Sequence, residues 1–371
     1  MKINSKIISV VLFAITLLLI EGALRYFTPF PIHAHKANQI DDDILSYRLD
    51  ASLGGIDSNG FRNAAVPESA DIVAVGDSFT YGVNVDPQYS WPNQLAAMTN
   101  LTVYNFGVSG YDILQYDHLI DEAIKLNPEY IIVGLYISND LKVCKLLTSL
   151  DYWIEWAKKR GYDSGFCYAK QEKKRRFQLT NFEIINDAMY ETAIGSLTTY
   201  VWELVSQRFS LGTEGQSVVV RNDSNPTIIT SGTLSGHNMN MDLTRPEASL
   251  GFHIAKDVLI EAKDKLDKKN ITLVILFIPS KEITYFDYLE AGDYQLPKAY
   301  YDLISRERSL RDKFIKIFDE HDIDYVDAEP YVTEALSESK KVYLNIGDGH
   351  PIRAGYEAYA KAVYENIFKK Q

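Results

Sequence analysis

The residues of this 371-residue chain best placed by type and spacing to do chemistry are Ser78, Asp348 and His350. Ser78 lies in Gly76-Asp77-Ser78-Phe79, after the apolar run Ile72-Val73-Ala74-Val75 and before Thr80-Tyr81-Gly82. Asp348 and His350 lie in Asp348-Gly349-His350-Pro351 near the other end of the chain. A serine hydroxyl is a weak nucleophile until a neighbouring base takes its proton. His350 suits that task, and would later return a proton to a leaving alkoxide. Asp348 would orient the imidazole and stabilise its charged form. Acyl transfer also needs donors fixed in advance where the oxyanion develops. The backbone N–H groups of Ser78 and Gly107 and the side-chain amide of Asn139 suit this role, each worth on the order of 3 kcal/mol in the transition state. A glycine at 107 would let the backbone approach a substrate closely. Asp77 and Asp140 read as acids that fix turns.

Pro351 adds a local argument. It disfavours the α region for His350. In an extended segment residues i and i+2 face the same way, so Asp348 and His350 would project together. Pro351 would then start the following helix in its first turn.

These residues need a frame that brings them to one edge, and an alternation of strands and helices begins at residue 71. Strands are predicted over 72–75, 101–105, 130–136, 271–278 and 323–326, and helices over 91–98, 115–126, 250–268, 300–321 and 355–368. Nearly continuous apolar strands separated by helices imply a parallel sheet covered on both faces. Such sheets place ligands at the carboxyl ends of their strands. Ser78, Gly107 and Asn139 each follow a predicted strand. Residues 28–70, rich in Pro, Gly and Asp, read as a linker and a lead-in of turns. Residues 141–249 break the alternation and read as a large insertion that partly caps the sheet edge. It carries aromatics, His237, which could line the cleft, and the basic run Lys173-Lys174-Arg175-Arg176, read as a solvated face.

A net charge of −12 argues against a nucleic-acid partner, since phosphate binding needs a basic surface. Lys2 and Lys6 precede an uncharged run from Ile7 to Ile20, and the apolar character continues to Phe27. That length spans a bilayer, and no clean small-residue cleavage site follows. An uncleaved single-pass anchor over 1–27 is therefore favoured over a cleaved signal, with residues 71–371 on the extracytoplasmic side. Cys144 and Cys167 are either one disulfide in an exported domain or two buried thiols. His33 and His35 lack a third ligand nearby and read as linker residues.

Gly-Asp-Ser, Gly107, Asn139-Asp140 and a C-terminal Asp-x-His together resemble the SGNH hydrolases, also called the GDSL family, over residues 57–369. Ser78, Gly107, Asn139 and His350 match the four letters of the name. The resemblance implies a flavodoxin-like α/β/α sandwich with a five-stranded parallel sheet, and no metal or organic cofactor. Two departures stand out. The third motif usually reads Gly-x-Asn-Asp, and here Ile137 holds the glycine position. The last motif is commonly Asp-x-x-His, and here Gly347 holds the aspartate position, leaving Asp348 as the close acid. The Asp-x-His form, the segment Ile278-Pro279-Ser280-Lys281-Glu282 and the N-terminal anchor resemble the membrane-linked branch that modifies cell-surface polysaccharides, such as the alginate O-acetyltransferase relatives. The expectation is a serine esterase or O-acyltransferase acting on acyl, chiefly acetyl, esters of carbohydrate or cell-envelope polymer. A membrane protein donating the acyl group is a plausible partner. The alternative is an inactive envelope protein that binds polysaccharide through a vestigial site.

Overall fold

The computed structural model describes residues 12, 13, 15–17, 19, 20, 38–168, 219–222, 225–230, 234–292, 294–338, 340–345 and 347–369. A hairpin of β1 (Gln39–Asp42) and β2 (Ser46–Leu49) comes first. It is followed by β3 (Ile72–Gly76), β4 (Val103–Asn105) and β5 (Tyr130–Leu135). A second hairpin, β6 (Val219–Asn222) and β7 (Asn225–Ile229), lies in the insertion. The last strands are β8 (Thr272–Phe277) and β9 (Asp324–Asp327).

Five of these strands form one parallel sheet in the order β4-β3-β5-β8-β9. Their side chains explain the parallel arrangement. Ile72, Val73, Ala74 and Val75 in β3 and Leu273 to Phe277 in β8 are all buried, so both faces of the sheet must be covered. Helix Trp91–Thr99 carries the chain from β3 outward to β4. Helices Ile113–Ile124, Pro246–Asp267 and Lys298–Glu320 lie in the connections that run the other way. Right-handed crossovers then put the first helix and the later three on opposite faces. The closing helix Arg353–Val363 packs against Trp91–Thr99. Strand order reverses between β3 and β5, the place where open α/β sheets form a crevice. Register aligns the two strands there, pairing Ile72 with Tyr130 and Gly76 with Gly134.

Two features differ from the sequence reading. From residue 38 onward the lead-in segment is built into the core. Leu45 and Phe61 are fully buried. Tyr111 OH donates to Tyr47 O at 2.5 Å, and Trp153 Nε1 donates to Ile44 O at 2.6 Å. Asp42 Oδ1 accepts the N–H groups of Ile44 and Leu45, so an acid that reads as loop composition serves a hairpin turn. Second, helices Lys281–Ala291 and Glu329–Ser337 escape the periodicity. The first carries buried Lys281 and Glu282, which erase its apolar stripe. Of the two readings of Cys144 and Cys167, the structure shows the disulfide, across a separation of 23 residues.

Among the described residues no helix is long and apolar enough to cross a membrane. Most of the anchor expected over 1–27 lies outside the described residues, as do His33, His35 and the basic run 173–176.

Candidate active site

Strand β3 ends at Gly76, and Asp77 caps the one-turn helix Ser78–Tyr81. The Asp77 carboxylate accepts Phe79 N–H at 2.9 Å, the usual way an N-cap satisfies a first-turn donor. Gly82 ends the turn at φ 86°, a left-handed conformation that glycine adopts without strain. Arg62 then ties the following loop by donating to Gly82 O at 2.8 Å and Val85 O at 2.9 Å. Ser78 is thus held at the carboxyl edge of the sheet on a braced turn.

His350 Nε2 lies 2.8 Å from Ser78 Oγ, and His350 Nδ1 lies 2.6 Å from Asp348 Oδ1. A carboxylate only accepts, so Nδ1 carries the proton and Nε2 presents its lone pair to the serine. Phe79 packs against the imidazole with ring centroids 4.8 Å apart. Burial pulls the His350 pKa down, but the hydrogen bond and charge of Asp348, aided by Asp77, raise it overall. Burial pushes Asp348 up, and its bonds to His350 and Asn84 reverse this, leaving the carboxyl well below the usual range.

The pair forms differently from the extended geometry expected. Asp348 Oδ1 accepts both the backbone N–H of His350, at 3.0 Å, and the ring Nδ1–H. The acid therefore turns back onto its own i+2 residue in an Asx-type turn. Pro351 does not open the next helix, which begins at Arg353. Instead Pro351 bridges to Tyr343.

Asn139 sits on the single turn Ile137–Asp140 that follows β5. Ile137 replaces the motif glycine without disturbing that turn, because its side chain is buried in the core. Asp140 accepts Tyr136 N–H at 2.8 Å and closes the turn. Lys142 Nζ donates to Asn139 Oδ1 at 2.9 Å, which fixes the amide so that Nδ2 reaches Asp77 Oδ2 at 3.1 Å. Asp77 Oδ2 also lies 3.3 Å from Ser78 Oγ, so Asn139 and Ser78 are neighbours through one acceptor oxygen. The Asn139 amide has a second N–H. The N–H of Ser78 is a first-turn donor with no acceptor inside its own helix. Both suit an oxyanion.

Gly107 is placed differently. Its N–H donates to Asn105 Oδ1 at 2.7 Å, so that donor is already engaged. A Cβ at 107 would stand 2.3 Å from Tyr81 N. The glycine is required by the close approach of the serine's own helix.

Several residues at the site carry no motif signal. Asn84, at φ 69°, donates to Asp348 Oδ2 at 2.6 Å. Asn105 bonds Thr80 O at 2.9 Å as well as Gly107 N–H. His237, from helix Leu234–Asn240, lies 3.1 Å from Ser138 Oγ, and Asn240 donates to Ser138 O, so this part of the insertion packs beside the Asn139 turn. Asn84 lies in a turn and Asn105 ends strand β4, both common places for a polar residue, and only the folded chain reveals their partners.

No family model matches the chain, and no curated protein matches it. Among solved structures, a lipolytic protein of the G-D-S-L family from Desulfitobacterium hafniense is similar at 12% identity, over 79% of this chain and 97% of that one, with a TM-score of 0.38. A member of the lipolytic protein G-D-S-L family from Veillonella parvula is similar at 14% identity, over 81% and 98%, with a TM-score of 0.37. An acetylxylan esterase from Geobacillus stearothermophilus is similar at 10% identity, over 82% and 96%, with a TM-score of 0.38. What the site can do rests on this chain's own atoms.

Proposed function

We propose that the chain is a serine esterase or O-acyltransferase working through an acyl-serine. The observation that carries this is the continuous relay from Ser78 Oγ to His350 Nε2 and from His350 Nδ1 to Asp348, with distances of 2.8 and 2.6 Å. Ser78 Oγ attacks an ester carbonyl as His350 takes its proton. The oxyanion is met by Ser78 N–H and the Asn139 amide. His350 returns the proton to the leaving alkoxide, and the acyl group stays on Ser78. Water or a sugar hydroxyl, activated by the same histidine, then removes it. The two outcomes share every residue and differ only in the acceptor.

The motif resemblance supports an acetylated carbohydrate or cell-envelope polymer as substrate, and a membrane acyl donor as partner if the acceptor is a sugar. The apolar N-terminal run supports a single-pass anchor over 1–27 ahead of a domain at 71–371. The disulfide supports an extracytoplasmic domain, since such bonds persist in oxidising compartments.

The test is labelling of the full chain by a fluorophosphonate probe, with p-nitrophenyl acetate turnover measured in parallel. The expected result is labelling at Ser78, and loss of both signals in Ser78→Ala. Wild-type turnover no faster than that of Ser78→Ala would instead favour a polysaccharide-binding protein with a vestigial site.

A further inference from the structure

The segment that carries the triad acid has little regular structure. Between helices Glu329–Ser337 and Arg353–Val363 its described backbone makes one bridge, Tyr343 with Pro351, closed by Ile352 N–H to Val342 O at 2.8 Å, while Lys340 N–H reaches back to Ala335 O at 3.1 Å. Lys281 reaches this segment from the helix that follows β8. Its Nζ donates to Leu344 O at 2.8 Å and to Asp348 O at 3.3 Å. The residue is 2% exposed and stands at the first position of helix Lys281–Ala291. Both circumstances oppose a cation, since burial removes its water and a helix N-terminus carries positive potential. A hydrophobic residue would sit there more cheaply. What the ammonium gains is a set of charge-assisted bonds to carbonyls that lead directly into Asp348.

From this placement we infer that Lys281 is a positioning residue for the triad. Its ammonium holds the backbone at Leu344 and Asp348 so that Asp348 meets His350, and its loss of a proton at alkaline pH slackens that hold. The inference rests on the proposed esterase or acyltransferase reading of the same site. Burial pushes the Lys281 pKa down to about 8, against the opposing charges of Glu282 and Asp348. The groups that act on it are Glu282 on its own helix and Asp348 and Tyr343 on the C-terminal segment, with Tyr285 packed on Tyr343 and His350 bonded to Asp348. Glu307 and Tyr300 come from Lys298–Glu320, with Glu307 gripping Ser280 and Tyr300 bonded to Glu282 O. His237 and Tyr136 lie within electrostatic reach of Glu282. The ring of Tyr343 lies 5.7 Å from Nζ. A neutral amine still donates, but each bond loses its charge-assisted part, so the hold weakens rather than vanishes.

The experiment compares pH profiles of the full chain and of Lys281→Met, which keeps an unbranched side chain one atom shorter and removes the charge. In the wild type kcat should fall about tenfold as pH rises through about 8, with KM within twofold. Lys281→Met should show the lower rate at all pH values and no step near 8. A Lys281→Met enzyme that keeps the wild-type rate, or that keeps the step, would overturn the inference. A second measurement requires neither turnover nor the variant. The downfield proton resonance of His350 Nδ1–H, bonded to Asp348, should be sharp below pH 8 and broaden above it. A resonance unchanged to pH 10 would overturn the inference. If neither protein labels with fluorophosphonate while the resonance behaves as expected, the esterase reading fails and the positioning role stands.

Discussion

Asp348→Asn gives the most direct test of how the site is wired. The substitution keeps the size of the side chain and removes its charge. Asp348 and His350 are about a quarter exposed and 2.6 Å apart at their closest atoms. When Ser78 attacks, the imidazole becomes positive. Two unit charges about 4 Å apart interact by about 4 kcal/mol at the effective dielectric of a site near a protein surface. That corresponds to about a thousandfold in rate. An amide in place of the acid could also present a donor to Nδ1 and favour the wrong tautomer, which acts in the same direction. The expected result is kcat/KM for p-nitrophenyl acetate lowered about a thousandfold, with Ser78→Ala and His350→Ala as reference variants. The pH profile supplies an independent sign. His350 acts as a base only when neutral, and Asp348 raises its pKa above the ordinary 6.5. Wild-type activity should therefore fall as pH drops through that raised value, and the acid limb should move to lower pH in Asp348→Asn. Stability follows the same pair. The stabilisation due to His350 is full below pH 6.5 and is lost as pH rises through its folded pKa. That due to Asp348 is full above about pH 4 and is lost as pH falls through its depressed folded pKa. The Tm difference between wild type and Asp348→Asn should be largest between about pH 4 and 6.5. Activity of Asp348→Asn within threefold of wild type, with His350→Ala inactive, would refute this wiring and point to a Ser–His dyad.

Asn139→Ala should lower kcat about a hundredfold with KM little changed, because the lost donor acts on the oxyanion and not on the ground state. Asn84→Gly tolerates the left-handed backbone and removes the amide's bonds to Asp348 Oδ2 and to His350 O, so kcat should fall about tenfold while Tm shifts little, as read by thermal melts. Gly107→Ala forces a Cβ into contact with Tyr81 N and should destabilise the fold by about 1–3 kcal/mol, seen as a Tm lowered by several degrees together with slower fluorophosphonate labelling. Reducing the Cys144–Cys167 disulfide should cost about 3 kcal/mol by loop closure, and reductant should not lower the Tm of a Cys144→Ser/Cys167→Ser double variant any further.

The order and type of the main elements are legible in the residues. Runs such as Ile72–Val75 and Leu273–Phe277 are apolar on both faces, which only a doubly covered strand satisfies, and long amphipathic helices separate them. Helix Lys281–Ala291 and the β1–β2 hairpin are not legible. Their signals are short, and tertiary partners satisfy groups that look solvent-facing in isolation.

The residues by themselves name a serine, a histidine and an acid in a workable order, and they place Ser78 and Asn139 after strands. They cannot bring Ser78 to His350 across 272 positions, because that contact is made by sheet order and by the packing of helix Arg353–Val363 on Trp91–Thr99. Nor can they show that the N–H of Gly107 is spent on Asn105, that Asn84 holds the far oxygen of Asp348, or that Lys281 is buried against the segment carrying the acid. Each of these depends on which polar group lies within 3 Å once water is excluded. Local spacing does not encode that distance, and only the closed fold sets it.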